Sequence, residues 1–313
     1  MNEIVRGILE QSTTKTSKIQ QLLNMGLTRR EVADLVTNGN YGFVQNVYKK
    51  MCENGTFHPG ENAAALTPVL DYGFNQRFGV EIEAYDCTKE KLARELREAG
   101  ISVSISDYSH ATTSFWKLVT DGSLDGNNTF ELVSPILVGE NGLKELETVC
   151  WVLEFCQVRV NRSCGFHVHF DASAFDIDTW KNLALSYKHI EQLIDSFMPE
   201  SRRDNRYCQT LAGINDQTIR RADTIYDLQR AFNNQRYYKL NLEAYSRHRT
   251  VEFRQHSGTI DFTKMEKWIH FLNGLIIFAK TGTLPRRTTL DRLPFLDEKE
   301  KLFFKLRTKT MAR

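Results

Sequence analysis

Two apolar runs carry ionisable side chains at every second position, and this alternation constrains the chain more than any other feature. Cys164-Gly165-Phe166-His167-Val168-His169-Phe170 sets two imidazoles two residues apart. Val251-Glu252-Phe253-Arg254-Gln255-His256 does the same with a carboxylate, a guanidinium and an imidazole. Side chains of a β-strand alternate between faces at roughly 3.3 Å per residue, so His167 and His169 share a face, as Glu252, Arg254 and His256 are expected to do. Phe78-Gly79-Val80-Glu81-Ile82-Glu83-Ala84-Tyr85 repeats the pattern with two carboxylates. Three such strands side by side would build a charged, metal-binding concavity over an apolar layer.

The rest of the composition is ordinary. Across 313 residues the hydrophobic share is 41%, the charged share 26% and the formal net charge +2, which rules out a polycation overall. No stretch approaches the roughly 18 apolar residues of a membrane span. The start, Met1-Asn2-Glu3-Ile4-Val5-Arg6, lacks the apolar core of a signal peptide. The six cysteines are scattered without a C-x-x-C pair, which speaks against a disulfide framework and a four-cysteine zinc site. Reduced thiols in a cytoplasm are expected, with no membrane contact.

Between Thr16 and Met51 the apolar spacing predicts three short helices. Thr28 and Glu31 form a capping box at the start of the second, and Gly26 suits the left-handed end of the first. Asn38-Gly39-Asn40 then breaks the chain before a helix from Tyr41 to Lys50. The arrangement, over about residues 16–51, resembles a helix-turn-helix. Its third helix would turn Val44, Val47 and Tyr48 inward and leave Asn40, Gln45, Asn46, Lys49 and Lys50 outward, where they could touch phosphates and base edges. The surplus of basic residues in this head is small, so contact with DNA and contact with a protein or peptide both remain open.

The expected organisation is a helical domain over 1–52, a linker over 53–76, a catalytic-looking body over 77–282 and a C-terminal extension over 283–313. In the body, strands are predicted near 78–85, 101–105, 115–120, 129–134, 158–161, 164–171, 238–242 and 249–255. Helices are predicted near 88–98, 141–156, 177–197, 216–232 and 263–280, with caps at Thr88 and Asp176 and a second capping box at Thr263 and Glu266. A parallel sheet would need a regular strand-helix-strand rhythm, which is missing. The fold class is therefore α+β, an antiparallel sheet with helices packed on one face, plus the small N-terminal three-helix domain.

Glu81 and Glu83, on one face of a strand, would repel each other in a dry site unless cations lay between them. They suit Mg²⁺ or Mn²⁺, or else a solvated strand edge. Glu131 lies in the otherwise apolar run Phe130-Glu131-Leu132-Val133. It is either a third carboxylate for the same place or the partner of an arginine. His167 and His169 suggest zinc at first sight, but no third soft ligand accompanies them at zinc-finger spacing. Oxygen-rich neighbours favour one imidazole in a Mg²⁺ or Mn²⁺ site and the other on substrate or nucleotide, with satisfied core histidines as the alternative. Arg254 suits phosphate oxygens or an ion pair with Glu252. The Ser201-Arg202-Arg203-Asp204-Asn205-Arg206-Tyr207-Cys208 loop could grip phosphate or be solvated surface. Neither a G-x-x-x-x-G-K-[ST] loop nor a G-x-S-x-G elbow is present.

Taken in order, Gly79-Val80-Glu81-Ile82-Glu83, Asp121-Gly122-Ser123-Leu124, Glu131-Leu132-Val133-Ser134-Pro135, Cys164 to Phe170, Arg206-Tyr207-Cys208 and Thr250-Val251-Glu252-Phe253-Arg254 resemble the amidoligase family over about residues 76–282. That family stands with glutamine synthetase and glutamate–cysteine ligase among carboxylate–amine ligases. The resemblance implies an antiparallel catalytic sheet with metal ligands on its concave face. It implies an ATP-dependent ligase in which a carboxylate is phosphorylated and an amine displaces the phosphate. Glu83 and Glu131 would serve one Mg²⁺ or Mn²⁺, and Glu81, His167 and Glu252 another. His169 would contact substrate or nucleotide, Arg254 the transferred phosphoryl group, and Arg206 would assist it.

The donor carboxylate and acceptor amine could belong to an amino acid, a peptide or a modified macromolecule. Two other classes compete with a ligase. One is a helix-turn-helix DNA-binding regulator with a ligand-sensing body, the other a metal-dependent hydrolase.

Overall fold

The structure, a computed structural model, describes residues 3–57, 74–106 and 112–312. The chain divides into two compact units, Met1–Gly73 and Phe74–Arg313. Most of the expected linker, 53–76, lies outside the described residues.

The first unit holds α1 (Glu3–Glu10), α2 (Lys15–Asn24), α3 (Arg29–Val36) and α4 (Tyr41–Glu53). Helix α1 lies upstream of the expected three and contributes Val5 and Ile8 to the apolar cluster of Ile19, Leu22, Leu23, Val32, Val44 and Met51. The Thr28–Glu31 capping box forms as expected, and Gly26 takes φ 88°. On α4, Val44 and Val47 are buried while Asn46, Lys49 and Lys50 are exposed. Gln45, expected to face outward, instead accepts a 2.8 Å hydrogen bond from Arg29, whose guanidinium also lies over the Tyr48 ring.

The second unit is α+β. Its sheet is built from β1 (Arg77–Ala84), β2 (Val103–Ile105), β3 (Trp116–Val119), β4 (Phe130–Val133), β5 (Leu137–Val138), β6 (Gly165–Asp171), β7 (Leu240–Asn241) and β8 (Thr250–Ser257). The strand order is β2-β3-β4-β1-β6-β8-β7, with β5 beside β1. Every pairing is antiparallel except β2 with β3, which is parallel. The sheet is thus mixed, where a purely antiparallel one was expected.

Apolar residues of the central strands point to one side. Phe78, Val80, Ile82, Phe166, Val168, Phe170, Val251 and Phe253 are buried, each worth about 1.5–3 kcal/mol in transfer terms. Helices cover this layer. They are α5 (Lys89–Glu98), α6 (Gly139–Phe155), α7 (Ile177–Ser196), α11 (Phe262–Ala279) and α12 (Glu298–Met311), with α8 (Asp216–Arg220) and α9 (Ile225–Ala231) packed against α7, whereas α10 (Ala244–His248) lies against β8 on the cavity side. Tyr187 of α7 stands 5.7 Å from the Phe253 ring, and Phe304 of α12 lies 4.7 Å from Phe197.

Several local expectations give way. Residues 158–161 form no strand: Arg159 makes one bridge to Tyr85, and the Asn161 side chain turns the chain by accepting from Ser163 N–H. The helix expected over 216–232 is two helices, because Thr224 and Asp227 form a capping box that starts α9 afresh. No Thr263–Glu266 box forms. Asp261 caps α11 by accepting from Lys264 N–H, which leaves Thr263 inside the first turn.

The departure with most bearing on the site is a β-bulge between β6 and β8. Phe166 pairs with His256, yet Val168 pairs with Phe253, so β8 carries an extra residue there. The alternation slips, and His256 does not share a face with Glu252 and Arg254. Its ring lies 5.8 Å from Phe166 and 5.7 Å from Trp268, in the apolar layer.

All six cysteines are free. Among the described residues no helix is long and apolar enough to cross a membrane.

Candidate active site

Four adjacent central strands present ionisable residues on the face away from the layer formed by α6, α7 and α11. Register sets them side by side. Glu83 of β1 pairs with Glu131 of β4, Glu81 of β1 with His167 of β6, and His169 of β6 with Glu252 of β8. Asn241 of β7 extends the row as the partner of Glu252. Cross-strand neighbours on one face have Cβ atoms only about 4.5–5.5 Å apart, so this pairing forces the carboxylates and imidazoles together.

His167 is the hub. Its Nδ1 lies 2.9 Å from Glu81 Oε2 and 3.7 Å from Glu252 Oε1, while its Nε2 faces Glu83 Oε1 at 3.6 Å. Two sets of potential ligand atoms result, Glu81–His167–Glu252 and Glu83–Glu131–His167, each with its atoms within 4.8 Å of one another. His169 Nε2 lies 3.3 Å from Glu81 Oε1, and its Nδ1 lies 3.1 Å from Thr250 Oγ1. Arg254 donates to Glu252 and, through Nε, to the Tyr207 carbonyl at 3.2 Å.

The electrostatics are those of a site with excess negative charge. Burial, reinforced by the charges of Glu81 and Glu83, pushes the Glu131 carboxyl well above its usual range. Burial also opposes ionisation of Glu81, but hydrogen bonds from His167 and His169 hold it well below. Glu252 is lowered too, with burial outweighed by Arg254 and the histidines. For His169, burial is outweighed by Glu252 and Glu81, and the imidazole is raised. Divalent cations fit this donor set. The carboxylates outnumber the cations facing them, and a hard, mostly oxygen set matches Mg²⁺ or Mn²⁺ better than zinc. A neutral imidazole has one free lone pair, so His167 can ligate in only one of its two sets.

A cavity of about 640 Å³ opens over the cluster, and a second of about 370 Å³ adjoins it, with Glu83, Asp121, His167, Arg236, Tyr237 and Arg254 lining both. Lys117, 5% exposed, lines the larger one. Of the residues singled out from the sequence, Glu81, Glu83, Glu131, His167, His169, Glu252 and Arg254 meet here. Arg206 does not. It is exposed, its guanidinium 5.5 Å from the Tyr207 ring centre, and it lines neither cavity.

Arg202, from the same basic loop, is the one turned inward. It is 3% exposed, donates to the Arg254 carbonyl and lines the smaller cavity. Asn241, which donates to Glu252, is a further residue that the sequence reading missed. Its signal was an amide between Leu240 and Leu242, on the face that the carboxylates use. Arg202 gave no comparable signal, because an irregular turn has no alternation.

Residues 74–276, well over half of the chain, match the family described as "Putative amidoligase enzyme". The chain belongs to this amidoligase family. The match takes in every residue of the cluster, and membership supports an enzyme that joins a carboxylate and an amine as an amide. No curated protein matches the chain.

Proposed function

We propose that this amidoligase-family chain is an ATP- and Mg²⁺-dependent carboxylate–amine ligase working through an acyl phosphate. The observation that carries the reading is the pair of ligand sets meeting at His167, with Arg254 beside them on the same sheet face. Bound Mg²⁺ or Mn²⁺ would offset the repulsion between a carboxylate and a triphosphate.

Glu83 and Glu131 would hold one ion, and Glu81 and Glu252 with His167 the other. Arg254, kept charged because Glu252, Glu81 and Glu83 outweigh its burial, offers N–H groups to the transferred phosphoryl oxygens. Arg202 supports it from the smaller cavity, in the role expected of Arg206. His169, with Glu81 and Thr250 fixing its ring, contacts substrate or nucleotide. A donor carboxylate oxygen bonds to the terminal phosphorus as ADP leaves. The amine nitrogen then bonds to the acyl carbon as phosphate leaves.

Purified protein given ATP, Mg²⁺ and a pool of amino acids and peptides should release ADP and phosphate in step with a new amide. Absence of nucleotide binding or turnover with any divalent ion sinks the reading. ADP release with a hydrolysed product and no amide favours the hydrolase instead. For the N-terminal unit, exposed Lys49 and Lys50 support docking to nucleic acid. Salt-sensitive duplex binding, lost on Lys49→Ala with Lys50→Ala, would bear this out, and peptide capture without it would point to a protein partner.

A further inference from the structure

The two adjoining cavities differ in what they lack. The smaller alone contains Arg202, whose Nε is enclosed without a hydrogen-bond partner, beside Arg236 and Arg254, which with Glu83 and Asp121 line both cavities. An enclosed guanidinium N–H without an acceptor, at a space of about 370 Å³, calls for an anion on that side. The larger cavity has the opposite defect. Glu243 lines it, and Glu243 Oε1 is likewise enclosed without a partner. Burial raises this carboxyl above its ordinary range. A carboxylate oxygen held out of water without a donor is costly, so the missing partner is a ligand that brings N–H groups and positive charge.

Glu243 is also tied to the cluster. Its backbone N–H donates to Asn241 Oδ1 at 2.9 Å, and the Asn241 side chain donates to Glu252. One amide side chain therefore holds the Glu252 carboxylate and the Glu243 backbone.

We infer that Glu243 is the docking group for the acceptor: a primary amine enters the larger cavity as its ammonium form and pairs with Glu243, while the anionic partner occupies the arginine-lined cavity. This rests on the ligase reading and adds the acceptor's charge state and the wall it approaches from. The chemistry balances. One ammonium proton passes to the Glu243 carboxylate, freeing the nitrogen lone pair. That pair forms the C–N bond as the acyl C–O bond to phosphate breaks, phosphate leaves with the bonding electrons, and a second nitrogen proton leaves with it.

Hydroxylamine separates this proposal from the ligase reading. It is uncharged at neutral pH and attacks acyl phosphates, whereas an alkylamine is protonated and needs an anchor. The full chain, with ATP, Mg²⁺ and the amino-acid pool as donors, is assayed with hydroxylamine and with methylamine. Glu243→Gln should raise KM for methylamine by at least about tenfold while leaving hydroxamate formation within about twofold. Glu243→Asp, which keeps the charge, should lie between, and it replaces Glu243→Gln if that variant fails to fold.

An unchanged methylamine KM overturns the role of Glu243 and leaves the ligase standing. Equal loss with both nucleophiles in a folded variant also overturns it, since Glu243 would then act before the amine arrives. If the wild-type chain consumes no ATP and forms no hydroxamate, the ligase reading fails and this inference with it.

Discussion

Gly165 occupies the tightest point of the site. A Cβ there would stand 2.7 Å from His167 Nε2 and 2.9 Å from Arg202 Nη2, so even a methyl group must displace the hub imidazole. Gly165→Ala should weaken Mn²⁺ binding by about tenfold, or ~1.4 kcal/mol, as read by calorimetric titration. Unchanged affinity would remove His167 from the ion sites. Glu131 gives a second prediction of opposite sign for stability. With its carboxyl held up by burial and like charge, Glu131→Gln should leave the ion-free protein as stable or more so, yet reduce the rise in Tm on adding Mg²⁺ to the part supplied by the Glu81–His167–Glu252 set. At this scale the strand-borne residues were legible, because alternation in an apolar run makes a charge conspicuous. Arg202 was not, since the basic loop offers several arginines and only the turn Glu200–Arg202 decides which one faces in.

Elements position these residues through a buried layer of polar contacts. Lys239, fully buried, lies between Glu191 Oε1 at 2.7 Å and Asp195 Oδ1 at 2.8 Å, and its carbonyl accepts from Arg254 N–H. Asp195 also accepts from Gln255, which joins α7 to the bulged part of β8. Lys239→Ala would leave two carboxylates without their cation. It should cost about 3–5 kcal/mol in urea unfolding, and a loss below 1 kcal/mol would show that water replaces the ammonium. Helix starts were readable where one cap residue stood alone, as at Thr28, Thr88 and Asp176. They were misread where two candidates competed, as with Asp261 and Thr263. The bulge left no mark in the pattern, because an inserted strand residue looks like any other until its partner strand is known.

For the whole molecule, the α+β class and the central strands could be read from the chain, whereas the parallel β2–β3 pair depends on a long-range choice of neighbours. The helical layer sets the response to acid. His270, 6% exposed, is lowered to about 4 by burial and by Lys267, and His256 is lowered well below its usual range by burial and by Arg307. Both stay neutral in the fold while the unfolded chain takes up protons below about pH 6.5, so stability falls as pH drops from there towards 4. His270 alone should account for about 3 kcal/mol at the lower end, and His270→Gln should flatten the curve of unfolding free energy against pH. An unaltered curve would assign the acid sensitivity to the carboxylates. The two ligand sets draw on β1, β4, β6 and β8, which lie far apart in sequence. During synthesis β8 is the last of these to emerge, so a chain cut short before Glu252 has no complete second set to offer. The second donor set therefore comes into being only with the finished sheet, and no shorter product of synthesis can present it.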